Sequence, residues 1–349
     1  DNDRASLLAA TRAFETAANA TDDTKAASVL WSRAKNSLGA TLSKIGELDS
    51  DPALIVKAIA AYNDALSARP IAKLPNQWLN SWTNILQAEF LLAKVNRDSK
   101  RLRRAHDDFV AKLDNAQAIP FQREQSGHTY RQLAANAQLL GEMEMASEDL
   151  RAALSFYDRA QAAFSALNMP YAVAQMDAHR VVAEFRLGTM SADVETIAKA
   201  LSAHRSLKSQ LSRRERPYVW AHWHQTLGIM HRALAGFGQS SRHLLDARAA
   251  FESALEEYRR EIYPQQWAET TALLCRTLMR MAATPEDWRH LSSTADDLIE
   301  SVHTLALAGL IRAQQRSLLR TLQGIGDISA LAHVRLGESA RAFESLTLA

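Results

Sequence analysis

Ring-bearing residues return along this chain at an almost constant interval. Phe14, Tyr62, Phe109, Tyr157, His204 and Phe251 are spaced 48, 47, 48, 47 and 47, and only His204 is neither Phe nor Tyr. Prolines keep the same beat, with Pro75, Pro120, Pro170, Pro217 and Pro264 standing 45, 50, 47 and 47 apart. Trp31 and Trp78 are 47 apart, as are Trp220 and Trp267. A third marker pairs Leu with a small residue: Leu38-Gly39, Leu133-Ala134, Leu227-Gly228 and Leu274-Cys275, with Leu86 holding the small-residue place once. From that place to the ring is 23 residues in four units, 39 to 62, 86 to 109, 134 to 157 and 228 to 251. Three markers in one phase specify a repeated supersecondary unit.

Each unit reads as two helices. The chain of 349 residues has only 12 Gly and 8 Pro, too few for an all-β fold with many tight turns. Apolar residues such as Leu244, Leu245, Phe251 and Leu255 recur at helical spacing. Each proline of the series is expected to open a helix, where its fixed φ fits and its missing N–H is harmless. Ser99 and Ser191 are expected as N-caps, and Thr284-Pro285-Glu286-Asp287 reads as a further helix start. The small residue of the first helix lets the second approach, and the ring fills the groove between them. One hairpin cannot bury both of its sides, so the units must stack.

The order Trp…Leu-Gly…Ala…Phe…Ala…Pro resembles the tetratricopeptide-like repeat family, best over Pro217–Ala283 and Ala27–Trp78. It is degenerate over Pro120–Leu211, where Arg123 and Val173 stand for the expected Trp. The period of 47 exceeds the family's usual 34, so the helices must be longer. The resemblance implies an all-α, right-handed α-solenoid of stacked helical hairpins, about seven units with end caps. Residues 1–26 would form an N-terminal capping helix, 27–283 the repeats, and 284–349 a degenerate C-terminal repeat with capping helices. "SARAFESLTLA" around Phe343 echoes "DARAAFESALEE" around Phe251. The resemblance also implies a concave face, lined by the first helices, that binds a protein or peptide.

Carrying the helical phase through the units gives groove candidates: Arg33, Asn36, Asn80, Thr83, His128, Arg131, His222, Gln225, Arg232, Glu269 and Arg276. Trp220, His224, Leu227 and His231 would pack against neighbouring helices instead. The histidines do not make a metal site by sequence. His222 and His224 point about 200° apart on a helix, and His224 and His231 lie about 10 Å apart. No metal or other cofactor is expected. Cys275, the single cysteine, falls at a small-residue place and reads as a packing thiol.

The stretch from Lys94 to Arg104 carries six positive charges and one negative. Lys100, Arg101 and Arg104 are the candidates there for an anionic partner, which supports an alternative reading as a ligand-sensing or nucleic-acid-associated regulator. Nucleic acid is disfavoured, because aromatic residues do not interleave the charges and the formal net charge is only +2. Arg103–Asp107 and Arg104–Asp108 are expected as i,i+4 ion pairs. Arg101 and His106 match a short Arg-x4-His pattern of helical ribonucleases, with His106 expected at the surface. No phosphate loop, nucleophile elbow or dinucleotide fingerprint occurs, so no catalysis is expected. No apolar run spans a membrane. One cysteine leaves the compartment open between the cytoplasm, slightly favoured, and a cysteine-poor periplasm. A chain beginning with Asp1 fits a processed or trimmed product.

Overall fold

The computed structural model describes residues 2–20, 27–116, 119–210, 212–238, 240–307 and 312–348. Among them are sixteen α-helices and no strand. The chain forms two compact units, Asp1–Ser191 and Ala192–Ala349. The first holds α1 (Asn2–Ala20), α2 (Ala27–Leu48), α3 (Pro52–Ser67), α4 (Pro75–Asn96), α5 (Ser99–Asn115), α6 (Arg123–Glu144), α7 (Ser147–Ser165) and α8 (Pro170–Met190). The second holds α9 (Val194–Ser206), α10 (Pro217–Leu234), α11 (Ser240–Leu255), α12 (Pro264–Met281), α13 (Pro285–Leu307), α14 (Arg312–Thr321), α15 (Ile325–Leu336) and α16 (Ser339–Leu348).

In the first unit α1 packs on α2, and the hairpins α2/α3, α4/α5 and α6/α7 stack in order, with α8 closing on α7. In the second, α9 packs on α10, and the hairpins α10/α11, α12/α13 and α15/α16 follow, α14 lying against α12 and α13. Each unit is thus an α-solenoid of stacked hairpins. The break after Ser191 falls inside the Pro120–Leu211 segment, where the sequence pattern is degenerate.

The packing within a hairpin follows the small-residue logic. A Cβ on Gly39 would stand 2.7 Å from the Tyr62 ring, and one on Gly228 only 2.6 Å from the Phe251 ring. Leu86 packs with Phe109 and Ala134 with Tyr157. Cys275 is fully buried in a cluster with Leu298, which lies 23 residues on, and burial pushes its thiol pKa up to about 12. His204, the odd member of the ring series, is also buried. It stacks on Trp223 at 5.0 Å, its Nε2 donates to the Trp223 carbonyl, and Trp223 Nε1 donates back to the His204 carbonyl. The imidazole thus adds a hydrogen bond to its stacking, which Phe or Tyr at this place of the series could not make through a ring nitrogen.

Several local expectations are corrected. Pro75, Pro170, Pro217 and Pro264 do sit in the first turns of their helices, as do Pro52 and Pro285. Pro120 does not, since α6 starts at Arg123. The cap of α5 is Asp98, whose carboxylate accepts from Lys100 N–H, and Ser99 is already helical. Asp193 caps α9, accepting from the N–H and the hydroxyl of Thr196, while Ser191 ends α8. A carboxylate is the stronger acceptor at a helix N-terminus, where it also meets the positive end of the dipole. The Thr284 start holds, with Thr284 Oγ1 accepting from Asp287 N–H and Asp287 accepting from Thr284 N–H. Phe343, the echo of Phe251, is 69% exposed, whereas Phe251 is fully buried.

Candidate functional site

The first helices of the hairpins, α2, α4 and α6 in one unit and α10 and α12 in the other, carry the groove candidates. The structure sorts these into two sets. Arg33, His222 and Glu269 are exposed, and Asn80, His128, Arg131, Arg232 and Arg276 are partly so. Asn36, Thr83 and Gln225 are committed to bonds between successive first helices. Asn36 Oδ1 accepts from Arg69, Ser81 and Asn84. Thr83 shares a hydroxyl hydrogen bond of 2.8 Å with Thr129. Gln225 is buried, donating to Thr270 Oγ1 at 2.8 Å, so its placement on an open groove is corrected. These three lie one helical step from the accessible stripe, at the seam where neighbouring helices meet.

Two histidines lie on the accessible stripe, one in each unit. His128 is half-buried with its edge toward Phe164, and burial, reinforced by Arg131, lowers its pKa. His222 keeps an exposed ring, yet the protein around it lowers its pKa as well. His224 and His231 are buried, as the helical phase predicts.

In the first unit the stripe opens into a cleft of about 370 Å³. Three successive first helices wall it. Gln87, Phe90 and Lys94 come from α4, Arg131, Gln132, Gln138 and Glu142 from α6, and His179 from α8. Tyr157 of α7 also lines it, donating to Gln138 Oε1 and stacked with His179. Glu142 is drawn off by Arg186 at 3.2 Å and by Gln138. Lys94 lies over the Phe90 ring at 5.5 Å. The lining therefore offers the exposed Gln87 amide, two aromatic rings and the cations Lys94 and Arg131, with its one carboxylate and the Gln132 and Gln138 amides already engaged.

The basic helix α5 is spent largely on internal ion pairs. Arg101 meets Glu89 at 2.7 Å, and Arg103 bridges Glu144 and Asp149. The expected Arg103–Asp107 pair does not form, and Asp108 pairs with Lys112 rather than Arg104. Of the anionic-partner candidates, Lys100 and Arg104 stay exposed without an ion pair among the described residues. His106 is buried rather than on the surface, its Nδ1 has no partner among the described residues, and burial lowers its pKa. It is therefore walled off from the exposed arginines of its own helix.

Two clusters escaped the sequence. Arg69 is 4% exposed and binds the Ser32 hydroxyl and carbonyl, Asn36, the Gln77 carbonyl and Ser81, with no carboxylate among these partners. In the second unit His231, His243 and Asp246 offer three ligand atoms within 4.8 Å of one another. Periodicity could not find them, because α11 delivers His243 and Asp246 to α10. Arg205 Nη2 lies 3.0 Å from His231 Nε2. A guanidinium only donates, so Nε2 must accept and Nδ1 must hold the proton. That proton then points at His243 Nδ1, 2.9 Å away. The cluster is a hydrogen-bonded relay, Arg205 to His231 to His243, and a metal on His231 Nδ1 would require the opposite tautomer.

No family model matches the chain, and no curated protein matches it. Among solved structures it is similar to the Rap conjugation gene regulator of the plasmid pLS20 in complex with the Phr* peptide. That match has 13% identity and a TM-score of 0.40, covering 88% of this chain and 80% of that one. It is also similar to a circular tandem repeat protein with novel repeat topology and enhanced subunit contact surfaces, at 16% identity and a TM-score of 0.30 over 98% and 87% of the two chains. No helix among the described residues is long and apolar enough to cross a membrane.

Proposed function

We propose that this chain is a non-catalytic, tetratricopeptide-like scaffold that binds a peptide or an extended segment of a partner protein along its first-helix face. The observation that carries the reading is the cleft across α4, α6 and α8. A pocket walled by three successive repeat helices accepts a side chain from a ligand running across the repeats. The Gln87 amide suits a peptide backbone, and Lys94 and Arg131 favour acidic side chains. Peptides selected from a random display library against the purified chain test this. Selected sequences should bind the wild type and lose about tenfold or more in affinity on Arg131→Glu, roughly one well-placed charge contact. A library that yields no binder, or binders indifferent to Arg131→Glu and to Gln132→Ala, overturns the reading.

A further inference from the structure

The carboxyl end of α10 and the facing stretch of α12 gather three arginines, Arg232, Arg276 and Arg280. Arg280 donates to the carbonyls of Arg232 and Ala235, at 3.3 and 2.9 Å, and so covers the last turn of α10. Arg276 donates to the Gln323 carbonyl at 3.0 Å. Carbonyls thus orient both side chains, and the C-terminal end of α10 sets only a partial negative charge against Arg280. Arg232 stands near enough to both for their charges to depress its pKa further, after burial has already lowered it. Its Nε is buried with no hydrogen-bond partner among the described residues. None of the three makes an ion pair among those residues. The acidic side chain of α12, Glu269, lies two turns away and accepts from Gln265.

Like charges held together in a half-buried site repel, and a donor left without an acceptor costs its lost hydration. A repeat scaffold does not require this arrangement. One period away from Arg276, Arg280 and Arg232 stand Ile229, Ala233 and Met279. The arginines therefore mark a place rather than a pattern. A planar, always-charged fork matches an oxyanion, and one anion held by several forks would settle the repulsion.

We infer that Arg232, Arg276 and Arg280 form a receptor for a single oxyanion group, a carboxylate of an acidic peptide or a phosphate. This receptor belongs to the second unit and does not depend on the cleft of the first. Calorimetric titration of the full chain tests it, using inorganic phosphate and a capped triglutamate peptide at neutral pH and constant ionic strength. One probe or both should bind the wild type at a single site. Arg232→Gln and Arg276→Gln should each weaken that binding by about tenfold or more, whereas Arg104→Gln, which removes an exposed cation elsewhere, should not. Phosphate alone binding identifies a phosphate-bearing ligand, and triglutamate binding identifies an acidic peptide. No binding of either probe overturns the receptor, as does an equal loss with Arg104→Gln, which would mean diffuse attraction. Because Arg232 is partly buried, circular dichroism of each variant is compared with wild type, and Arg276→Gln, nearer the surface, carries the test if Arg232→Gln misfolds.

Discussion

At Gly228 two residue-level effects oppose each other. Alanine in a helix is normally better than glycine by about 1 kcal/mol. Here the added methyl would stand 2.6 Å from the Phe251 ring, itself fully buried. Overpacking of this kind costs about 1–3 kcal/mol and decides the sign. Gly228→Ala should lower the urea midpoint, although the same change at an exposed helical glycine would raise it. Phe251→Ala should cost about 3–5 kcal/mol as a core deletion. A second residue-level effect concerns acid. Burial holds His224 and His231 at a pKa of about 4, against 6.5 in the unfolded chain. Between those values the unfolded chain takes up protons that the folded chain refuses. Stability should therefore be level above pH 6.5 and fall as the pH drops toward 4. For His231 the facing groups pull both ways, with Asp246 raising its pKa and Arg205 and His243 lowering it. Urea midpoints measured across this window should fall less steeply in His224→Gln and His231→Gln than in wild type. Equal slopes would show that these rings are not the acid-sensitive groups.

Between elements, the seams of the first helices are polar as well as apolar. Gln225 on α10 donates to Thr270 on α12, and Thr270 passes its own proton to the Gln266 carbonyl. Thr270→Val should cost about 1–3 kcal/mol, because it leaves the buried Gln225 amide without an acceptor. Adding Gln225→Leu should recover part of that loss, and a coupling near zero in the double-mutant cycle would show that the bond carries nothing. The elements themselves were legible in the sequence. Proline marked the starts of α4, α8, α10 and α12, and ring spacing marked the second helices. Pro120 misled because the chain runs on through Phe121 and Gln122 before α6 begins. Ser99 and Ser191 misled because an aspartate lay within two residues of each. The seams were not legible, because whether Asn36, Thr83 and Gln225 face outward or sideways depends on how each helix rotates against its neighbour. One helical step separates a groove residue from a seam residue, and a pattern of period 47 does not resolve that step.

For the molecule as a whole, the division into two units follows from where the repeat signal fails. Val173 holds the Trp place and His204 the ring place in the segment containing the break. The first unit has its own apolar clusters, centred on Trp82, Phe109 and Leu86 and on Tyr157, Phe164 and Ala134. A fragment of residues 1–191 should therefore be helical by circular dichroism and unfold cooperatively on its own. A fragment that melts without a transition would show that its core is incomplete.

The seams carry one more consequence. They join positions 45 to 48 residues apart, yet no two use the same chemistry: an asparagine taking a hydroxyl and an amide, a pair of threonine hydroxyls, and an amide on a hydroxyl. The units are keyed to their neighbours. Shuffling their order would keep every ring in its groove and still strand buried amides and hydroxyls at each new junction. Duplication can have built such an array, but once the keys diverged, its members could no longer trade places.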